Sequence, residues 1–587
     1  MGKLSGFIAE ARRRRVFRTA GLYIVGAWVL LQVADLALES IGLPDSLLRF
    51  FWIAAFAGFP AALIFGWFFD VTADGIRRTL PSDDSPAEDL RMRVPDYVIV
   101  GALAVVVAVF AAGLFDRARQ ADELNGPYDP NGIAVLPLEN LSGDEDQEYF
   151  SAGMHDALIT SLSKISGFRV VSRTTTVRLD RALPMTEIGK TLGVRNIVEG
   201  SVTRDGDRVR VIVQLIDAAT DAHIWAENFE REFTSVLGLQ GDMAKAIARA
   251  VNVQLSDEED AMLSETRKID PKAYDRYLRG AYLLNHGSNR VRRRGITILE
   301  KLIDDGHEDA QIYASLAFGY ALLGHSPYPE GMYPASKLAA RKAMELDDSI
   351  PEVYLALGMH EMYYEWDFAA AENHVLHALE LNPSQIDAVY HYAWLMEYFR
   401  NTDKSLPAGE LTVELDPLLP DMSAWLAEQY RYAGQYERAV ELAENALELD
   451  PTNALALMSL GTTYAQTGDY ELALRMTSKI SNHAVWGYMH AVVLAESGRT
   501  QEARDILESI DKVPRNVISL VLVNSALGEV DEAFHWMEVA RESRLPWYPW
   551  FITMAPFMDE VRADPRMRIY AEELGVEDIL DDVLASY

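Results

Sequence analysis

Three short motifs in this 587-residue chain have the residue types and spacing that chemistry would require. Ser161-Leu-Ser-Lys164 fits the S-x-x-K pattern of acyl-serine hydrolases, but it falls on a predicted amphipathic helix and neither S-D-N nor K-T-G follows it. His374 and His377 could present two imidazoles to a metal ion from one helix face, yet no third ligand is indicated. The default interpretation of both motifs is polar helix surface.

The third motif is the basic run from Arg290 to Arg294, which could contact phosphate or an acidic partner surface. A solvated helix start is the favoured explanation of this run. No Walker loop, dinucleotide fingerprint, H-E-x-x-H motif or EF-hand loop is present in the sequence. We therefore predict no catalytic residue, no metal site and no cofactor, and we predict that the protein is not an enzyme.

The amino-acid composition excludes several further classes of site and partner. The chain has no cysteine, which excludes disulfides, thiolate zinc sites, cysteine nucleophiles and iron–sulfur clusters. It carries 54 Lys+Arg against 88 Asp+Glu, a net charge of −34, which argues against nucleic acid as a partner because phosphate neutralisation needs clustered cations. A hydrophobic content of 49% at this length predicts several domains with substantial cores.

The first 120 residues differ from the rest in being dominated by apolar stretches. Three of these, at about 16–38, 48–71 and 97–115, approach the roughly 20 residues that a helix needs to cross a bilayer. They predict a membrane domain over residues 1–120 with three transmembrane α-helices and the lipid bilayer as a partner.

The basic residues near these stretches predict an orientation. Arg12, Arg13, Arg14 and Arg15 precede the first stretch, and Arg77, Arg78, Arg91 and Arg93 lie between the second and the third. Because basic loops stay cytoplasmic, the amino terminus is predicted in the cytoplasm and residues after about 116 in the periplasm of a bacterial inner-membrane protein. Arg12–Arg15 would also hold the membrane surface through anionic lipid.

Short apolar strands and amphipathic helices alternate after a turn-rich linker at 121–131. They predict an α/β domain over 132–256, with the Asp205-Gly206 pair as a hairpin turn. The predicted strands are Ile133–Leu136, Phe168–Ser172, Asn196–Thr203, Arg208–Asp217 and His223–Phe229, and the predicted helices are Asp146–Ile165, Met185–Leu192 and Val236–Leu255.

Repeats at a period of 30–34 residues dominate the rest of the chain. The Gly-x-x-x-x-Ala motif begins at Gly434, Gly468, Gly498 and Gly528, and a second series places Pro383, Pro417 and Pro451 each 34 residues apart. Pairs of antiparallel helices with small residues at their crossings account for this pattern. It is similar to the tetratricopeptide pattern and predicts an α-solenoid of seven or eight units over 271–547, closed by a capping segment at 548–587.

Several motifs between residues 131 and 255 resemble the TolB amino-terminal-like (FlgO-like) domain. They are Ile133–Asp144, Glu148–Phe150 with Gly153, Ile188-Gly189, Leu192–Val194, Val198–Val202, Val211–Asp217 and His223–Ala226. The resemblance implies a membrane-anchored tetratricopeptide-repeat protein of the kind found among CadC-like and adenylate-cyclase-associated bacterial proteins. It implies sensing or scaffolding outside the cytoplasm and supplies no catalytic residues.

The tetratricopeptide resemblance also implies a concave groove lined by the first helix of each unit. The groove positions in this sequence are Tyr390, Trp394, Glu397, Asp421, Glu428, Arg431, Met458 and Thr462. We predict that they bind protein or peptide partners, with packing or solvated surface as the alternative.

Together these features predict an inner-membrane-anchored periplasmic scaffold for protein or peptide partners, with homo-oligomerisation possible. Two alternatives stay open at this point: a transmembrane signal transducer that relays a periplasmic binding event to a cytosolic partner, and an adenylate-cyclase-related enzyme. The chain as a whole is thus expected to combine three transmembrane helices, an α/β domain and an α-solenoid.

Overall fold

The computed structural model describes residues 23, 27, 59, 69–72, 75–78, 128–142, 147–233, 236–264, 270–285, 288–325 and 331–585. The chain divides into two compact units, Met1–Gly126 and Pro127–Tyr587.

The first unit contains a short β-hairpin that corrects the predicted membrane domain. Strand β1 (Phe69–Thr72) pairs antiparallel with β2 (Gly75–Arg78), so the end of the predicted span at 48–71 is a strand. The aromatic and β-branched residues of Phe69–Thr72 favour a strand over a helix here. The prediction of three transmembrane helices is wrong: within the described part of the chain, no helix combines the length and apolar character that crossing a bilayer requires.

Most of the stretches 16–38, 48–71 and 97–115 lie outside the described residues, as does the predicted membrane-surface anchor Arg12–Arg15.

The second unit opens with a six-stranded mixed sheet. Its strands are β3 (Asp129–Val135), β4 (Glu139–Asn140), β5 (Arg169–Val170), β6 (Val194–Asp205), β7 (Arg208–Asp217) and β8 (Ala222–Glu232). The order is β5-β3-β6-β7-β8, with β4 also paired to β6. The β3, β4, β5 and β6 pairings are parallel, whereas β6, β7 and β8 form an antiparallel meander.

Helices cover both faces of this sheet. They are α1 (Glu148–Ser163), α2 (Arg173–Arg178), α3 (Met185–Leu192) and α4 (Val236–Ala250), followed by α5 (Asp257–Ser264). On one face α1 and α4 bury residues such as Met154 and Met243 against the valines of β7, because alternate residues of a strand point to one side. On the other face Ile188 and Leu192 of α3 pack near Ile197.

Eight helical pairs follow and share one continuous apolar core. The pairs are α6 (Pro271–Asn285) with α7 (Asn289–Asp304), α8 (Ala310–Gly324) with α9 (Met332–Leu346), α10 (Pro351–His360) with α11 (Phe368–Leu381), α12 (Ile386–Tyr398) with α13 (Thr402–Leu415), α14 (Pro420–Tyr432) with α15 (Tyr436–Leu449), α16 (Ala454–Gln466) with α17 (Tyr470–Ser478), α18 (Tyr488–Glu496) with α19 (Thr500–Ser509), and α20 (Val517–Ala526) with α21 (Val530–Glu542).

The repeated glycines end the first helix of a pair in the left-handed conformation. Gly434, Gly468, Gly498 and Gly528 have φ between 73° and 84°, a region that costs glycine little. The two pairs before Gly434 have non-glycine residues at the same turn, Trp366 at φ 63° and Arg400 at φ 50°. The turn geometry is therefore conserved along the solenoid even where the glycine is absent.

Four short helices complete the chain: α22 (Tyr548–Thr553), α23 (Asp559–Ala563), α24 (Pro565–Leu574) and α25 (Glu577–Ala585). Tyr548, Phe551 and Ile552 of α22 are fully buried in the solenoid core. This carboxyl-terminal segment is thus packed as part of the solenoid.

Candidate partner-binding cleft

The α/β domain contacts the solenoid at two separate places. At the first, α1 and α4 pack on α6: the Tyr149 hydroxyl donates to Asp275 at 2.7 Å, and Gln240 Nε2 donates to the Tyr274 hydroxyl at 3.0 Å. Arg204 adds an ion pair to Asp275 at 2.6 Å. These contacts fix the domain to the first helical pair.

The second contact lies three pairs further along, at the end of α13. The Ser172 amide donates to the Leu415 carbonyl at 2.7 Å, and Arg169 Nη1 donates to the Glu414 carbonyl at 2.9 Å. Thr175 Oγ1 donates to the buried Asp416 carboxylate and accepts from the Leu418 amide at 3.2 Å. The domain therefore spans the solenoid from its first pair to its fourth.

Between the two contacts lies a cleft of about 1280 Å³. Helix α1 and the start of α2 form one wall, and the first helices α6, α8, α10 and α12 form the other. Tyr274, Tyr277 and Tyr390 contribute aromatic surface, and Ser315 and Gln311 contribute polar groups. A cleft of this volume exceeds the roughly 300–1,000 Å³ of small-molecule sites.

The charged residues that line the cleft are mostly acidic. Three are basic, namely Lys164, Arg173 and Arg292. Eight are acidic, namely Asp156, Asp270, Glu308, Asp309, Asp347, Glu352, Asp387 and Asp416. Burial lowers the pKa of His325 to about 4 and that of His391 to about 3, so these cleft histidines are neutral at pH 7. The cleft is therefore electronegative.

Two of the acidic residues that line the cleft have raised pKa values. Burial raises the pKa of Asp387 to about 6, partly opposed by Arg292 and reinforced by the charges of Asp416 and Glu352. Burial likewise raises the pKa of Asp156 to about 7, although Arg173 pairs with it and lowers the pKa. Burial thus disfavours the ionised form of both carboxyl groups.

The predicted groove residues divide between this cleft and the solenoid interior. Only Tyr390 lines the cleft. Tyr390, Trp394 and Asp421 are half-buried, whereas the other five are buried, namely Glu397, Glu428, Arg431, Met458 and Thr462. The eight positions therefore do not form one open binding surface.

The carboxyl-terminal segment covers much of that predicted groove. Trp550 Nε1 donates to the Tyr432 hydroxyl at 3.0 Å, and the ring centre of Trp547 lies 5.1 Å from that of His325. Trp394, Glu428 and Met458 line only a small cavity of about 40 Å³ beneath these tryptophans. The carboxyl-terminal segment therefore packs against residues from the end of α8 to α14, which the repeat pattern gave no means of predicting.

A buried ion pair organises the same region. Arg431 donates to Glu428 through Nε at 3.0 Å and Nη2 at 2.7 Å, and both residues are 3% exposed. Arg431 Nη1 also donates to Gln466 at 3.0 Å in the next first helix. These predicted groove residues therefore join adjacent helical pairs.

The three motifs considered first are placed as surface or packing features. Ser161 Oγ donates to the Ala157 carbonyl at 2.8 Å within α1, and Lys164 follows the helix end. His377 contacts Glu380 at 2.9 Å and packs against Tyr354. In the run from Arg290 to Arg294, Arg292 donates to the Leu284 carbonyl at 3.2 Å at the cleft edge. No group of three potential metal ligands occurs among the residues described here.

Asp387 could have been predicted from the sequence, although it was not among the predicted groove residues. Asp387 is the second residue of α12. Asp421 is the second residue of α14 and lies one 34-residue period later in the sequence. Glu352 holds the same position in α10. The groove rule that selected Asp421 therefore also selects the two cleft carboxylates.

The fold defines a protein that contains tetratricopeptide repeats, and residues 430–485 match the tetratricopeptide-repeat family model. Residues 130–246 match a different model, the second domain of HilA/YgeH-like transcriptional regulators. The α/β domain is thus similar to a HilA/YgeH-like domain, while the TolB-like assignment stays a prediction.

One curated relative is named putative adenylate cyclase 3 of Rhizobium meliloti (strain 1021). It is 32% identical over 258 residues, which are 42% of this chain and 43% of the relative. The chain thus spans less than half the length of the curated relative that it matches.

Several solved structures have segments similar to part of this chain. YrrB, described as a TPR protein with an unusual peptide-binding site, has 20% identity and a TM-score of 0.25 over 36% of this chain and 97% of its own. Pseudomonas aeruginosa PilF has 17% identity and a TM-score of 0.31 over 38% of this chain and 98% of its own. Human IFIT1, solved with m7Gppp-AAAA, has 17% identity and a TM-score of 0.35 over 52% of this chain and 76% of its own.

Proposed function

We propose that this protein is a non-enzymatic scaffold that binds a segment of a protein or peptide in the cleft between the α/β domain and the first four helical pairs. The observation that carries the proposal is the cleft of about 1280 Å³, whose two walls come from different domains. The tetratricopeptide repeats support a role in protein binding, because stacked helical pairs form extended concave surfaces.

The shape of the cleft favours a polypeptide over a small molecule. The solenoid wall of the cleft consists of four successive first helices, from Tyr274 in α6 to Tyr390 in α12. An extended segment can contact each of these helices in turn, whereas a compact ligand cannot. Tyr277 and Tyr390 are only half-buried and line the cleft, and aromatic side chains of this kind suit the side chains of a partner.

The experiment is selection of peptides from a random display library against the full chain, followed by crosslinking. Because the chain has no cysteine, a single introduced cysteine is a unique attachment point for a photoreactive group. Thr174→Cys places it at the exposed cleft edge, and Glu448→Cys places it on an exposed second helix away from the cleft. We expect selected peptides to crosslink from position 174 and not from 448; crosslinking from 448 alone would contradict the proposal.

A second candidate, an adenylate-cyclase-related activity, is carried only by the name of the Rhizobium meliloti relative. Purified chain incubated with ATP and a divalent cation would form cyclic AMP if that candidate were correct. The binding proposal predicts no cyclic AMP above a boiled-protein control.

The location of the protein stays a prediction. A bacterial inner-membrane location with residues after about 116 in the periplasm was predicted from the basic residues near three apolar stretches, and the relay of a binding event to a cytosolic partner depends on that location. A reporter enzyme that folds only in the periplasm, fused after Ala585, would be active under this prediction and inactive if the carboxyl terminus is cytosolic.

A further inference from the structure

We propose that the segment held in the cleft is basic, and that Glu352 and Asp387 bind a lysine or arginine side chain of it. This inference rests on the proposed function and names the chemistry of the partner.

The two carboxylates occupy equivalent positions on neighbouring walls of the cleft. Glu352 is the second residue of α10 and Asp387 the second residue of α12, and both line the cleft. Burial is the main cause of the raised pKa of Asp387, and the charges of Asp416 and then Glu352 add to it, so Glu352 and Asp387 face the same region of the cleft. A single cation from a partner can therefore be attracted to both.

Neither carboxylate forms a hydrogen bond or a salt bridge with another described residue, although the charge of Arg292 lowers the pKa of Asp387. The salt bridges and side-chain hydrogen bonds of this part of the chain include neither Glu352 nor Asp387. Their acidic neighbours differ: Asp309 caps α8 by accepting from the Gln311 amide at 2.8 Å, and Asp421 accepts from Asn453 Nδ2 at 2.6 Å. Structural roles thus account for Asp309 and Asp421 but not for Glu352 and Asp387.

Arg292, the basic residue that interacts with Asp387, donates its hydrogen bonds to other groups. Arg292 Nη1 donates to Asn289 Oδ1 at 2.7 Å and Arg292 Nε donates to the Leu284 carbonyl at 3.2 Å. Arg292 still lowers the pKa of Asp387, but the burial of Asp387 outweighs that effect. A cation that reached the cleft would form charge-assisted hydrogen bonds in a medium of lower dielectric constant than water, where such bonds are strong.

The surroundings favour an organic cation over a metal ion. No group of three histidine, aspartate or glutamate side chains converges to hold a metal anywhere in the described ranges. Tyr390, one turn after Asp387 on α12, lines the same cleft. An aromatic face beside carboxylates is the environment that a lysine ammonium or an arginine guanidinium prefers.

Binding of fluorescent peptides to the full chain tests this assignment. The probes are a peptide of alternating glycine and lysine and a peptide of the same length with glutamate in place of lysine, measured by fluorescence anisotropy at physiological salt. The lysine peptide should bind and the glutamate peptide should not. The double variant Glu352→Gln, Asp387→Asn should weaken binding of the lysine peptide by about tenfold or more.

A charge-matched control separates the cleft from the general negative charge of the chain. Glu448→Gln with Glu471→Gln removes the same two charges from exposed residues of second helices and should change affinity by less than about twofold. Equal losses in the two double variants would overturn the proposal. The stability of Asp387→Asn is a second readout: its midpoint of thermal unfolding should rise, because an unpaired carboxylate is removed, whereas a purely structural aspartate would lower it.

Failure of this inference can be told apart from failure of the proposed function. If the display selection yields peptides that crosslink in the cleft but contain no excess of lysine or arginine, the scaffold proposal stands and the basic partner is excluded. If no selected peptide crosslinks in the cleft, the proposed function itself fails.

Discussion

The amide of Ser172 and the carbonyl oxygen of Leu415, 243 residues apart in the sequence, are joined by a hydrogen bond of 2.7 Å. Together with the hydrogen bonds of Arg169 and Thr175, this bond closes the side of the cleft that lies opposite α6. They make the α/β domain and the solenoid one binding unit, since the cleft exists only while both contacts hold.

The first prediction concerns that closing contact. Thr175→Val removes the hydroxyl that donates to Asp416, which is 2% exposed, and that accepts from the Leu418 amide. Because a buried carboxylate loses its donor, we expect the free energy of unfolding to fall by about 1–3 kcal/mol. Urea denaturation measures it, with the exposed Thr220→Val as the control. An equal effect of both substitutions would show that the contact contributes nothing.

The second prediction concerns the buried ion pair of the solenoid. Arg431→Met leaves Glu428 buried without its two hydrogen bonds from Arg431, and we expect a loss of about 3–5 kcal/mol. The exposed pair of Arg438 and Glu441 provides the comparison, and Arg438→Met should cost less than about 1 kcal/mol. Similar losses for the two variants would contradict the structural role assigned to Arg431.

The third prediction concerns the left-handed turns. Arg400 has φ 50° at the position where glycine stands 34 residues later, so Arg400→Gly should raise the free energy of unfolding by up to about 1 kcal/mol. Gly468→Ala should lower the free energy of unfolding by about the same amount, because Gly468 has φ 84°. The space around Gly468 is open, so the cost comes from the backbone angle and not from a clash. Thermal unfolding of both variants measures the effect, and a destabilised Arg400→Gly would refute the strain argument.

The fourth prediction concerns pH. Burial raises the pKa of Glu397 from 4.5 to about 7, against the opposing effects of Ser405, Arg400 and Arg431. The folded state thus binds a proton more tightly than the unfolded state, so ionisation of Glu397 destabilises the fold progressively as the pH rises from 4.5 to 7. Below pH 4.5 this cost is absent.

Glu397→Gln should remove that dependence. We expect the variant and the parent to have similar stability near pH 4.5, and the variant to be more stable at pH 8 by on the order of 3 kcal/mol. Urea titrations at a series of pH values measure the difference. A difference that is constant across the series would contradict the assignment.

Local patterns predicted the individual elements well. Helix α3 and strand β7 have the bounds that the sequence indicated, Met185–Leu192 and Arg208–Asp217, because hydrophobic period and turn chemistry act within a few residues. The Asp205-Gly206 turn also forms, with Gly206 at φ 59°. By contrast, apolar character alone did not distinguish the β1–β2 hairpin from the end of a membrane helix.

The cleft could not be predicted because it depends on contacts between distant residues. Nothing near Ser172 in the sequence identifies Leu415 as its partner, and nothing near Trp550 identifies Tyr432. The repeat pattern indicated helical pairs but not which segment of the chain covers them. For that reason the groove was predicted around Glu428, Met458 and Thr462, which are buried, and Asp387 was omitted.

The most direct test of the account is to block the cleft and measure affinity. A bulky maleimide attached at Thr174→Cys should weaken binding of a display-selected peptide by at least about tenfold, measured by fluorescence anisotropy. The same label at Glu448→Cys should leave the affinity unchanged. Undiminished binding to the chain labelled at position 174 would show that the partner binds elsewhere and would contradict the central claim.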